Sequence, residues 1–220
     1  NIKQHDILYQ HLKTVSIYFL SLNLCVGGES MKKICHISGT TLPGGGPEHI
    51  YQLLNRLNRN QLNLIFAYMK DGYCWEKFNS LKIKTYKLPL RQLSIVTAFK
   101  LFDILRKEKP DIIHTHGKGP GLYGRIIGKT LNIPVVHTFH GLHYEELHAL
   151  HDQLTCPQIF SHQITAHHIF VSRGEKNRAQ VIKLLGEDNS TIICNGIDLE
   201  HIRSLSICRK TVLNAAQCGD

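Results

Sequence analysis

Ile34-Cys-His-Ile-Ser38, then Gly39-Thr-Thr-Leu-Pro-Gly-Gly-Gly-Pro47, then residues 48–58 decide the fold class. The first stretch is a short apolar run between charged and glycine residues, which reads as a buried strand. The second is too rich in glycine and proline to be helical. In the third, Ile50, Leu53, Leu54 and Leu57 recur at helical spacing. Strand, glycine loop and helix in that order open a βαβ unit, so a parallel sheet is expected.

The same alternation runs on along the chain. Further strands are predicted at 62–68, 83–88, 111–114, 134–138, 166–172 and 190–194. Helices are predicted at 93–109, 121–131 and 174–185. The first of these rests on Val96, Phe99, Ile104 and Leu105, with Phe102 beside them, and Lys109-Pro110 ends it. The fold class is therefore α/β, a Rossmann-like parallel sheet with helices on both faces. After Asn195-Gly-Ile-Asp198 the alternation fades, and residues 203–220 read as a tail.

With 220 residues, 42% hydrophobic and 20% charged, the chain has the composition of one soluble domain rather than of a disordered or fibrous protein. Its seven cysteines are odd in number, dispersed and without a C-x-x-C pair, so reduced thiols in a cytoplasmic protein are expected. The net charge of +9 favours anionic partners without selecting one. The apolar run at 15–26 falls well short of the roughly 20 residues that span a bilayer. Its flank fits a secretory leader only loosely. Met31 followed at once by a strand looks like the start of a cytoplasmic enzyme, which makes residues 1–30 an extension outside the fold.

Three strand ends carry chemistry. Gly44, Gly45 and Gly46 precede Pro47, expected at the first helical position, and would let backbone amides approach a phosphate. A tight βα turn without ligand accounts for the same residues. The loop is not a dinucleotide fingerprint, because G-x-G-x-x-G is absent. In Asp111-Ile-Ile-His-Thr-His-Gly117, His114 and His116 share a face and Thr115 takes the other. His114 is read as an enclosed core residue and His116, nearer the loop, as a cleft residue. Val135-Val-His-Thr-Phe-His-Gly141 ends likewise in His140 and Gly141. The later histidines, His143, His148, His151, His162, His167 and His168, show no metal-ligand spacing, and no metal is expected.

Together G-G-G-P-E-H-I, K-P-D-I-I-H-T-H-G, V-V-H-T-F-H-G, I-F-V-S and I-C-N-G-I-D resemble, in order and spacing, the amino-terminal domain of glycosyltransferase family 4. The resemblance covers 32–202 and is closest to bacterial enzymes of lipopolysaccharide and other cell-surface polysaccharide biosynthesis. It implies one half of a GT-B fold and a retaining transfer from a nucleotide sugar to a sugar or lipid-linked acceptor. His116 then matches the histidine that contacts the donor sugar, the candidate catalytic residue. Gly44, Gly45 and Gly46 would approach the donor phosphates, and His140 with Gly141 would line the acceptor side. No cofactor and no nucleic acid partner is implied.

In the family a second domain with two glutamates spaced by seven residues follows N-G-I-D, and the remaining residues here contain no such pair. A separate carboxyl-terminal domain is thus an expected partner, and the chain alone is expected to be inactive. A noncatalytic binding domain, or an inactive truncated product of the same fold, is the alternative. Between 82 and 109, Lys82, Lys84, Lys87, Arg91, Lys100, Arg106, Lys107 and Lys109 outnumber Asp103 and Glu108. Such a surface suits peripheral docking on the inner face of an anionic membrane, although a merely solvated basic face has the same composition.

Overall fold

A computed structural model describes residues 31–72, 74–141, 164–181 and 189–195. The expectations for 1–30, for the tail at 203–220 and for His143, His148, His151 and His162 lie outside these residues. The strands are β1 (Lys32–Ser38), β2 (Leu62–Tyr68), β3 (Lys84–Lys87), β4 (Ile112–His116), β5 (Val135–Phe139), β6 (His167–Phe170) and β7 (Ser190–Ile192). The helices are α1 (Gly45–Arg56), α2 (Trp75–Ser80), α3 (Ile95–Glu108), α4 (Lys118–Leu131) and α5 (Arg173–Val181). All strand pairs are parallel, in the order β3-β2-β1-β4-β5-β6-β7. The predicted α/β parallel sheet is therefore present, and every predicted strand is found within a few residues.

Alternation along the strands divides the core in two. Ile34, Leu64, Phe66, Tyr68 and Ile112 face α1 and α2, packing on Ile50, Leu53, Leu54 and Phe78. Cys35, Ile37, Ile65, Ala67 and Ile113 face α3 and α4, packing on Leu101, Leu105, Tyr123 and Ile127. Helices thus cover both faces. The short α2 escaped the sequence reading because six residues give too little periodicity to register.

The inward face of α3 differs from the expectation. Thr97, Leu101 and Leu105 are its buried positions, whereas Val96 and Phe99 are 58% and 68% exposed. The true stripe runs i, i+4, i+8 and begins with a threonine, so a count of apolar residues missed it. The helix is nevertheless well bounded: Ser94 Oγ accepts from the Thr97 amide, and Lys109 closes it in the left-handed conformation before Pro110.

A glycine stripe on α4 seats that helix against the sheet. A Cβ at Gly124 would lie 2.2 Å from Thr115 Cγ2, and one at Gly128 2.3 Å from Val135 Cγ2. These approaches are too close for any side chain. Among the described residues no helix is long and apolar enough to cross a membrane.

Candidate functional site

The strand order reverses between β1 and β4, and in open parallel sheets ligands collect at the carboxyl ends of the strands flanking such a reversal. Register places His36 beside His114 and Ser38 beside His116. His36, His114 and His116 consequently share the face covered by α1, while Thr115 points the other way, its Oγ1 2.8 Å from His137 Nδ1. His49 from α1 and His140, just past β5, extend the group. Ring centroids lie 4.2 Å apart for His114 and His116, 5.3 Å for His116 and His140, and 5.2 Å for His49 and His140.

His116 is as enclosed as His114, at 3% and 1% exposure, so the expected contrast in burial between them is corrected. The cause is the pair His140, which stacks on the His116 ring, and His49, whose tilted ring lies 6.5 Å away between centroids. His140, partly exposed, stands between His116 and the outside.

A row of hydrogen bonds links three of the rings. His36 Nδ1 lies 3.3 Å from His116 Nε2, and His116 Nδ1 lies 3.1 Å from His140 Nε2. Each link needs an N–H on one ring and a lone pair on the other, which a row of neutral imidazoles supplies. Desolvation enforces that state. It lowers His36 to about 3, with the neighbouring His49 adding to the effect, and lowers His49 to about 4. Burial brings His140 down to about 3, and burial plus the surrounding histidines holds His116 well below the ordinary range. At neutral pH the group offers hydrogen bonds and lone pairs, not positive charge.

Beside this row the glycine loop enters α1. Gly44 is the cap residue in extended conformation, no side chain caps the helix, and Pro47 falls at the third helical position rather than the expected first. The amides of Gly45 and Gly46 thus lie in the uncapped first turn, where unpaired donors and the helix dipole favour an anion. Among the described residues, a Cβ at Gly44 or Gly45 would meet nothing within 4 Å, so their packing does not demand glycine there. One at Gly46 would lie 3.5 Å from His140 Cγ, which brings loop and histidine into contact. The sequence-predicted residues Gly44, Gly45, Gly46, His116, His140 and Gly141 therefore meet at one edge of the sheet.

Two carboxylates that the sequence reading missed hold the edge in shape. Asp71 accepts from Thr40 Oγ1 at 2.7 Å and from the Thr41 amide at 2.5 Å, pinning the stem of the glycine loop. Glu175 accepts from the amides of Gly141 and Val171, fixing the turn after β5. For Glu175 a signal existed: Ser172 and Glu175 have capping-box spacing, and Ser172 Oγ accepts from the Glu175 amide at 3.1 Å. His36 carried no motif, and His49, although it lies within G-G-G-P-E-H-I, was not singled out.

The model of Glycosyltransferase Family 4 matches residues 43–201. A curated relative, the UDP-Gal:alpha-D-GlcNAc-diphosphoundecaprenol alpha-1,3-galactosyltransferase of Escherichia coli, is 28% identical over 179 residues, covering 76% of this chain and 46% of its own length. Among solved structures, a glycosyltransferase from Rickettsia africae superposes with a TM-score of 0.64 at 16% identity, over 83% of this chain and 50% of that one. Anabaena Alr3699/HepE in complex with UDP does so with a TM-score of 0.62 at 16% identity, over 76% and 45%. The chain spans about half the length of each of these proteins. With its Rossmann-like half of a GT-B fold and this match, the chain belongs to glycosyltransferase family 4.

Proposed function

We propose that this chain is the acceptor-side half of a retaining glycosyltransferase that moves a sugar from a nucleotide donor to a polysaccharide or lipid-linked acceptor. The carrying observation is the convergence of the uncapped 44–46 loop with His116 and His140 at the β1–β4 reversal. The names of the Escherichia coli relative, with its UDP-Gal donor and diphosphoundecaprenol acceptor, and of the UDP-bound Anabaena structure support the choice of substrates.

In this reading the donor diphosphate lies against the amides of Gly45 and Gly46, which stabilise it as it departs. A sugar hydroxyl takes the place of His140 as the partner of His116 Nδ1, and the neutral ring positions the sugar without attacking it. His140 turns outward with Gly141 to line the acceptor side. A carboxyl-terminal domain supplies the rest of the donor site, and no metal takes part in transfer.

Gly45→Glu tests the loop. A carboxylate in the first helical turn favours the helix, so the melting temperature should hold or rise slightly. In the enzyme completed by a family carboxyl-terminal domain, affinity for the nucleotide sugar should fall at least tenfold. Unchanged affinity would remove the phosphate from this loop.

The same edge offers a place for a lipid-borne acceptor. Leu93, Ile95, Val96 and Phe99 are exposed together, with Arg91 and Lys100 among them. Tyr123 ties this segment to α4 through Gln92 O at 2.7 Å and the Ser94 amide at 2.6 Å. An apolar patch set among cations matches an anionic bilayer surface. The chain should sediment with vesicles rich in anionic phospholipid, and Phe99→Asp should weaken this at least fivefold without lowering stability. Equal sedimentation of the variant would assign the patch another role.

A further inference from the structure

We propose that His36, His114 and His116 form a binding site for a single borderline transition-metal ion, Zn²⁺ or its analogues Co²⁺ and Ni²⁺. One ring nitrogen from each lies within 4.8 Å of those from the other two. Two of these residues already stand at ligand spacing. Nitrogens about 2.0–2.1 Å from a tetrahedral ion are separated by roughly 3.3–3.4 Å, and His36 Nδ1 and His116 Nε2 are 3.3 Å apart. The plane of His114 is set by the contact of its Nε2 with Thr138 Oγ1 at 2.8 Å, the kind of outer hydrogen bond that orients a coordinating imidazole. Closing the triangle brings nitrogens up to 4.8 Å apart to the ligand spacing, an approach of up to about 1.4 Å shared between rings by side-chain rotation.

The surroundings agree with that ion class. The three residues project from adjacent, registered parallel strands, so the backbone supplies a rigid frame. Among the described residues, His36 Nε2 and His140 Nδ1 are buried with no hydrogen-bond partner, so the imidazole row does not satisfy itself. No carboxylate belongs to the set, which disfavours Mg²⁺ and Ca²⁺. Cys35 sits on the opposite face of β1 and is not a ligand. Entry runs past partly exposed His140 and the exposed glycine loop.

A bound ion replaces the His36–His116 hydrogen bond and ties His116 to the strand. The ion takes His116 Nε2 and leaves Nδ1, the atom proposed for the donor sugar, as an N–H, so a bound ion fixes the tautomer of that contact. This last consequence rests on the role proposed for His116; the binding site does not.

The chain, freed of metal by chelator, is titrated with Co²⁺ and loaded with one equivalent of Zn²⁺. Visible ligand-field absorption should saturate at one Co²⁺ per chain. X-ray absorption of the zinc-loaded protein should show nitrogen neighbours at about 2.0 Å with imidazole scattering and no sulfur. His36→Asn, checked for folding by circular dichroism, should weaken binding at least tenfold; if it does not fold, His114→Gln serves in its place. A sulfur-containing shell, no saturation at one equivalent, or a folded variant binding as tightly as the parent would overturn the site. None of these readouts needs transfer activity, so failure of the metal site and failure of the glycosyltransferase reading are told apart.

Discussion

Acidification from pH 7.5 to pH 5 is expected to unfold this domain. His36, His49 and His116 are 1%, 6% and 3% exposed, and burial lowers the first two from 6.5 to about 3 and about 4 and the third well below its usual range. Once the chain unfolds, each ring takes up a proton at pH 5 that the native state refuses. The unfolded state then binds more protons, so stability is complete above about pH 6.5 and declines as the pH falls toward the depressed native values. At pH 5 His36 and His49 each contribute about 2 kcal/mol to that loss, and His116 adds in the same direction. Three together approach the lower end of the stability of ordinary domains, about 5–15 kcal/mol. His140 is left out of this sum because its ring is partly exposed and water screens it. Urea unfolding followed by circular dichroism at half-unit pH steps measures the effect, and a midpoint unchanged between pH 7.5 and pH 5 would show that the rings are not held neutral.

Gly124→Ala is expected to cost about 3 kcal/mol, at the upper end for overpacking, and Gly124→Val to leave no folded protein. The added Cβ would lie 2.2 Å from Thr115 Cγ2 and 3.4 Å from Ile113 Cγ2. Thr115 has no room to yield. It is β-branched and completely buried, and its Oγ1 is engaged with His137 Nδ1 at 2.8 Å and with Val136 O at 3.3 Å. The helix would have to lift from β4, opening the packing of Tyr123 and Ile127 behind it. Thermal melts should show a fall of roughly 6–12 °C for Gly124→Ala. A fall below about 2 °C would mean that α4 does not pack as closely as its glycines indicate.

The parallel sheet was legible because its strands are continuous apolar runs between turn residues, and β2 at Leu62–Tyr68 coincides with its prediction. The inward face of α3 was not, since its stripe begins with Thr97 and the apolar Val96 and Phe99 face outward. Of the site, the residues inside motifs could be named in advance: the 44–46 loop, His116 and His140. Residues that enter through tertiary contact could not. His36 lies 78 positions before His114, and only the β1–β4 register makes them neighbours. Asp71 reaches Thr41 across a gap of 30 positions. The enclosure of His116 was misjudged for the same reason: a strand end is open only if nothing covers it, and here His140 stacks on it with His49 tilted beside it.

The central claim is that His116 positions the donor sugar, and one measurement addresses it most directly. This chain, completed by a family carboxyl-terminal domain, is assayed for transfer from UDP-sugars to a diphosphate-linked lipid sugar, alongside His116→Ala. Because His116 is buried and bonded to two rings, the variant should lose about 1–3 kcal/mol of stability, so transfer is compared below its melting temperature on protein shown to be folded. The account predicts transfer by the parent and a loss of at least a hundredfold in kcat/KM for the variant. Transfer by folded His116→Ala at the parental rate would contradict it.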